Sequence, residues 1–185
     1  MTAIWSSMSI FRKVFNLFVL TLTFLFLGCS SVDYKKTVDS LDINRFMGKW
    51  YVVAGRTTFG EKGGHNSLEE YIWNEKENRI DMNFTFNKNS FTVKKKTVTQ
   101  KGWIENKQTN AHWLVQPFWP LKLDYLVLAL DPEYEWTIVG VSSQSYVWIM
   151  TRDPNPKQKL ITKLIKKVEE LNYNSEDIRL IPQKW

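Results

Sequence analysis

Residues 79–86 read RIDMNFTF. Ile80, Met82, Phe84 and Phe86 alternate with Asp81, Asn83 and Thr85, and a period of two with one apolar face is that of a half-buried strand. A helix would scatter those four side chains around its axis. Runs of similar character recur at 50–56, 68–74, 91–104, 111–116, 121–130, 136–141 and 147–151. They are separated by breaks such as Asn87-Lys88-Asn89 and a loop carrying Gly60, Gly63 and Gly64. Eight strands in succession, each on a short connection, predict an all-β fold. An eight-stranded antiparallel up-and-down β-barrel is expected, because closure removes the edges an open sheet would expose. A barrel of this size is just wide enough to be filled by side chains or to hold one small ligand.

After the eighth run the period changes. Asn155 and Pro156 supply an N-cap and a first-turn proline. Leu160, Ile161, Leu164, Ile165, Val168 and Leu171 then fall on one face. This predicts one C-terminal α-helix packed outside the barrel. Residues 178–181, IRLI, predict a short last strand.

The front of the chain is of another kind. Arg12-Lys13 precede an almost wholly apolar run, VFNLFVLTLTFLFLG at 14–28, that stops at Cys29. A basic region, an apolar stretch and a small residue before the break describe an export signal. The run is short for a transmembrane helix, which needs roughly 20 apolar residues. Leu25-Phe26-Leu27-Gly28-Cys29 resembles the lipobox of bacterial lipoproteins, in which the cysteine is acylated and becomes the first residue. Phe26 stands where that pattern has leucine. The expected organisation is therefore a lipoprotein signal peptide at 1–28, an acylated Cys29 on a polar tether at 29–40, and one domain at 41–185. Cys29 is the only cysteine, so no intramolecular disulfide can form. The formal charge is +6 over 185 residues, and two of those charges, Arg12 and Lys13, leave with the signal. No recognised motif accompanies this modest excess, so nucleic acid is not expected as a partner.

The order of signal, eight-strand meander, helix and short strand resembles the lipocalins. Three stretches carry the resemblance. Gly48-Lys49-Trp50-Tyr51 is similar to the Gly-x-Trp at the start of the family's first strand. Residues 129–134, ALDPEY, resemble its second signature, where Asp131 and Tyr134 mark the turn between the sixth and seventh strands. Residues 146–152, YVWIMTR, resemble the third, which ends in Arg152. The blocks are nearest to those of bacterial lipocalin lipoproteins, a group that also resembles apolipoprotein D. The loop at 56–63, RTTFGEKG, departs from that group. The resemblance implies that Trp50 lies across the closed floor, that Arg152 packs over its indole, and that Gly48 leaves room for the incoming chain.

Period two then assigns the interior. With Trp50 inward, Val52 and Ala54 share its side, as do Trp148 and Met150 with Arg152. Both faces of 121–130 are apolar, and the resemblance places Tyr125, Val127 and Ala129 inside, with Leu126, Leu128 and Leu130 under the helix. Ala111, Trp113 and Val115 face inward by the same reasoning, as do Tyr71, Trp73, Ile80, Met82, Phe84 and Phe86. The expected ligand-binding set is Ala54, Tyr71, Trp73, Met82, Phe84, Trp113, Tyr125, Val127, Trp148 and Met150. Tyr125 and the Trp148 indole would offer polar contacts near the mouth, and Glu69 would add one if it shares the side of Tyr71. Residues 117–120, Pro-Phe-Trp-Pro, hold two rings in a loop that could meet a bilayer interface or cap the rim.

Nothing suggests catalysis. His65 and His112 have no metal-like spacing, no Gly-x-Ser-x-Gly frames a serine, and Glu69-Glu70 with Glu75 and Glu77 read as surface carboxylates. No enzyme activity, metal or cofactor is expected. The resemblance implies a membrane-anchored binder of fatty acids or lysophospholipids. Its expected place is the bacterial cell envelope, at the outer membrane facing the periplasm, since Ser30 after the cysteine resembles a sorting signal for it. Two alternatives remain: an anchored interaction module whose barrel is filled by side chains, and a binder of a pigment or haem-type group. The oligomeric state is not set by the sequence.

Overall fold

The computed structural model describes residues 33–185; the signal segment and Cys29 lie outside the described residues. A short helix, α1 (Ile43–Phe46), leads into nine strands: β1 (Gly48–Arg56), β2 (Gly64–Asn74), β3 (Arg79–Lys88), β4 (Lys95–Ile104), β5 (His112–Phe118), β6 (Leu121–Leu130), β7 (Trp136–Gly140), β8 (Val147–Thr151) and β9 (Arg179–Leu180). Helix α2 (Gln158–Glu170) lies between β8 and β9. Strands β1 to β8 pair with their sequence neighbours, and β1 also pairs with β8, closing an eight-stranded antiparallel barrel. Strand β9 lies outside the ring, antiparallel to the upper part of β1. Among the described residues no helix is long and apolar enough to cross a membrane.

Strand β1 does two jobs along its length. Its first residues, Gly48 to Tyr51, pair with β2, while Tyr51 to Arg56 pair with β8. Above Tyr51 the seam between β1 and β2 is bridged by the C-terminal segment. The Ile181 N–H donates to the Val53 carbonyl (2.9 Å) and the Asn66 N–H to the Pro182 carbonyl (2.9 Å). The Gln183 amide donates to the carbonyls of Val52 (2.7 Å) and Ser67 (3.3 Å).

The core divides into two clusters. The inner one fills the closed end of the barrel. The outer one lies between the barrel wall and α2, where Ile161, Leu164 and Val168 of the helix meet Leu126, Leu128 and Ile149. Tyr173, just past the helix, donates to the Tyr146 carbonyl (2.7 Å) and accepts from the Val141 N–H (2.9 Å). A Cβ at Gly140 would stand 2.6 Å from that hydroxyl, so this contact requires glycine.

Four expectations need correction. Residues 91–94 are turn rather than strand, and β4 begins at Lys95. Helix α2 begins at Gln158 with Lys157 as its cap residue and no side-chain cap bond, so Asn155 and Pro156 stand before it. The Asn155 N–H is instead held by Asp153 (2.8 Å). The third correction changes the interior. Strand β1 carries a bulge against β8 between Val52 and Ala54, and β6 carries one against β7 between Val127 and Ala129. One extra residue turns every later side chain to the other face. Ala54 and Ala129 are therefore in the outer cluster, whereas Leu130 packs on the inner one. Finally, the last strand is only Arg179–Leu180.

The floor is built on α1. Asp42 caps it, accepting from the Arg45 N–H (3.2 Å). Its last carbonyls, which have no partner within so short a helix, are taken by side chains from the barrel. The Trp50 indole donates to Phe46 (2.8 Å), and the Arg152 guanidinium donates to Arg45 (2.7 Å), Phe46 (3.2 Å) and Lys49 (2.8 Å). The same guanidinium lies 3.8 Å from the centre of the Trp50 ring, at a helix C-terminus where a cation is favoured. Gly48 has φ +91°, a conformation that only glycine adopts without strain, and this turns the chain from α1 into β1. Tyr134 clasps α1 from the other side. Its hydroxyl accepts from the Asp42 N–H (2.9 Å), Arg45 lies 4.2 Å over its ring, and its turn is fixed by Asp131, which accepts from the Glu133 N–H (3.0 Å). Trp50 is fully buried. Trp50→Ala is expected to cost about 3–5 kcal/mol in chemical denaturation, as for a large aromatic removed from a packed core; a loss below about 1 kcal/mol would contradict this floor.

Candidate functional site

Aromatic rings fill the lower half of the barrel. Phe46 of α1 projects up into it and packs against Trp50 (5.1 Å between ring centres), Tyr71 (5.4 Å) and Trp113 (5.5 Å). Trp113 stacks on Tyr125 at 4.9 Å and 5°. The hydroxyls of Tyr71 and Tyr125 bond each other across the barrel, with the Met150 sulfur 4.0 Å from that of Tyr71. Both tyrosines are pushed well above the ordinary phenol range, first by burial. This pair ends the filled region.

Above it lies a cavity of about 310 Å³, at the small end of the size range of ligand pockets. The barrel is therefore not wholly filled by side chains. Of the ten residues expected to meet a ligand, Tyr71, Met82, Phe84, Tyr125, Trp148 and Met150 line this cavity. Trp113 and Val127 are fully buried in the floor cluster beneath it, and Trp73 packs on that cluster from the closed end. Ala54 is displaced to the outer core by the β1 bulge. Tyr125 was expected near the mouth, but its bond to Tyr71 places it at the bottom.

The polar side of the cavity comes from two acids. Glu61 sits in a single 3-10 turn, Phe59–Glu61. It accepts from the Trp148 indole (2.9 Å) and from the Thr58 hydroxyl (2.6 Å). Burial pushes its carboxyl above the usual range, against these two bonds. Glu69 was read either as a surface carboxylate with Glu70 or, if it shared the side of Tyr71, as a polar contact of the interior; β2 turns it inward on that side, leaving 7% of it exposed. One of its oxygens, Oε1, is buried without a partner. Burial raises Glu69 well above the ordinary carboxyl range, and the nearby Glu61 raises it further. Leaving such a group unpaired costs about 1–3 kcal/mol.

Sequence reasoning missed Glu61, which sits in the loop that departs from the lipocalin pattern, and Phe46, whose signal was the Asp42 cap three residues before Arg45. Period two did contain Glu69, through Tyr71. Asp124 borders the cavity but turns its carboxyl to His112 (2.7 Å) and Ser142. Burial opposes its ionisation, yet those two bonds together hold it below the usual range. At the rim, Phe118 and Trp119 are 65% and 84% exposed, and Phe118 borders the mouth. A wider cleft of about 730 Å³ lies outside, between the 3-10 turn and the C-terminal segment. It is shallow and presents no buried unpaired group. Among the described residues no three metal-binding side chains cluster.

A model of the lipocalin-like domain matches residues 41–183. The chain is 27% identical over 163 residues to temperature-induced lipocalin-1 of Arabidopsis thaliana, covering 80% of this chain and 82% of that one. It is 24% identical over 173 residues to the outer membrane lipoprotein Blc of Vibrio cholerae, covering 91% and 98%. Among solved structures it superposes on the cockroach allergen Per a 4 with a TM-score of 0.60, 15% identity and coverage of 83% and 96%. Lobster apocrustacyanin A1 gives 0.59, 11% identity and coverage of 85% and 94%.

A carboxyl whose folded pKa is raised favours the fold below its unfolded value, about 4.3 for glutamate. That advantage is lost as the pH rises through the folded value, because the unfolded chain then binds fewer protons. Glu61, Tyr71 and Tyr125 face Glu69, and none supplies a compensating positive charge. Melting curves from about pH 4 to 8 are expected to show Glu69→Gln gaining stability relative to the parent as pH rises. A constant difference would contradict the buried, unpaired state of Glu69.

Proposed function

The chain belongs to the lipocalin-like family, and from that premise we propose that it is a carrier that holds the hydrocarbon chain of a small lipid in its barrel. The observation that carries this reading is the cavity above the Tyr71–Tyr125 pair. Its walls are mainly apolar, with Val52, Met82, Phe84, Val115, Leu123 and Met150 among them. A few polar groups converge in it, which is the composition of a site that selects an apolar body and one head. Single-chain lipids, fatty acids or lysophospholipids, are the class of ligand proposed.

Attachment to a membrane is the second part of the proposal. Cys29 is its acylation site, and the polar stretch that follows is the tether. Relatives named outer membrane lipoprotein support the outer membrane of a bacterial envelope as its place. The exposed Phe118 and Trp119 at the mouth support a barrel whose opening faces lipid, since aromatic rings partition to bilayer interfaces. Transport, storage and membrane maintenance are the roles such a carrier serves. A binding rather than a catalytic role is part of the proposal, supported by the match to the lipocalin-like domain.

Two measurements test the two parts. Mass spectrometry of organic extracts of the purified protein is expected to find single-chain lipids at near-stoichiometric amounts, reduced in Met150→Trp, which fills the cavity. Extracts with no lipid, and no uptake of added lipid, would remove the carrier reading. Cys29→Ala is expected to abolish palmitate labelling and to release the protein from membranes; unchanged partitioning would replace the acyl anchor by a spanning one.

A further inference from the structure

The cavity is lined by acids and by no cation. Glu61 and Glu69 both present carboxyls to it, and none of its lining residues is lysine, arginine or histidine. The arginine of the floor, Arg152, is occupied by Trp50 and four carbonyls. Two carboxyls sharing a largely apolar space repel each other when ionised, and no cationic side chain lines that space. Glu61 has both its oxygens engaged, by Thr58 and Trp148. Glu69 keeps one oxygen buried and unpartnered, on the face of β2 that lines the cavity. A buried acceptor without a donor points to a missing donor.

The donor's charge follows from the same inventory. A carboxylate head would bring a further acidic group up to Glu61 and Glu69 in a medium that screens poorly. An ammonium would pair with both acids, give the unpartnered side chain of Glu69 a donor and favour its ionised form. Glu69 lies two residues from Tyr71 on the same strand, so roughly 7 Å above the tyrosine pair. Along β6, Leu123 and Leu121 succeed Tyr125 toward the hairpin with Phe118. We infer that the ligand is a single-chain amphiphile with an ammonium head, seated between Glu61 and Glu69, its chain running along Leu123 and Leu121 to the mouth. This rests on the reading of the barrel as a lipid container and narrows it to a cationic head.

The test compares three ligands of equal chain length: decylamine, decanol and decanoate. Each is titrated calorimetrically into the full chain in a neutral maltoside detergent at about pH 7.5, where the amine is charged and the acid ionised. The heat of partitioning into detergent alone is subtracted. Decylamine is expected to bind at least about tenfold more tightly than decanoate, with decanol between them. Glu69→Gln is expected to weaken decylamine about tenfold or more while leaving decanol within about twofold. Glu69→Leu should do the same, and its melting curve confirms a folded barrel. Decanoate binding as tightly as decylamine would overturn the inference, as would a Glu69→Gln variant that weakens decylamine and decanol alike. Decanol binding without preference for the amine leaves the container standing and removes only the cationic head. No binding of any of the three removes both.

Discussion

The fold depends on how the closed end of the barrel is sealed. A short helix cannot satisfy its own last carbonyls, and an eight-stranded barrel cannot leave its end open without wetting its core. One guanidinium answers both needs. Arg152 lies on the Trp50 ring and donates to three carbonyls around the end of α1, while the Trp50 indole takes Phe46 as well. Phe46 is thereby held inside, where it becomes the base on which Tyr71 and Trp113 pack. Removing the arginine would strand carbonyls and ring together, so the floor behaves as a unit.

From this floor upward the interior changes character in two steps. The rings first reach a layer where the hydroxyls of Tyr71 and Tyr125 meet, which satisfies both and ends the dry packing. Beyond that layer the barrel keeps space, and the side chains that bound it combine apolar walls with two acids. The cost of burying Glu69 is not recovered within the protein itself, since its Oε1 has no partner. A native structure commonly carries such a debt at a binding site, where the ligand settles it.

The wall also shows how a barrel spends residues on shape. Bulges in β1 and β6 stand where these strands pair with β8 and β7, beneath α2. Each turns an alanine outward, Ala54 and Ala129, against the core that seats the helix. The bulges thus serve the outer core and the inner one at once, by moving small side chains to the side where the helix must approach.

What the sequence determined by itself is the architecture: period two repeated eight times, then period 3.6, admits few closed solutions, while the resemblance carried by Gly48, Trp50 and Arg152 implied which end is sealed. The two periodicities are local, set by spacing and side-chain chemistry within a few residues. Much of the cavity wall was legible by parity for the same reason, including Tyr71, Met82, Phe84, Trp148 and Met150. Tertiary structure decided the rest. Parity carries no record of a bulge, because an extra residue is defined only against the partner strand; hence Ala54 left the interior. Depth along the barrel is likewise a property of register between strands, and it lowered Tyr125 to the bottom and put Trp113 and Val127 in the floor. The acidity of the cavity was hidden longest. Glu61 and Glu69 come from a loop and a strand that only the closed barrel brings to one space, and what makes them unusual is not their identity but the lack of any cation there.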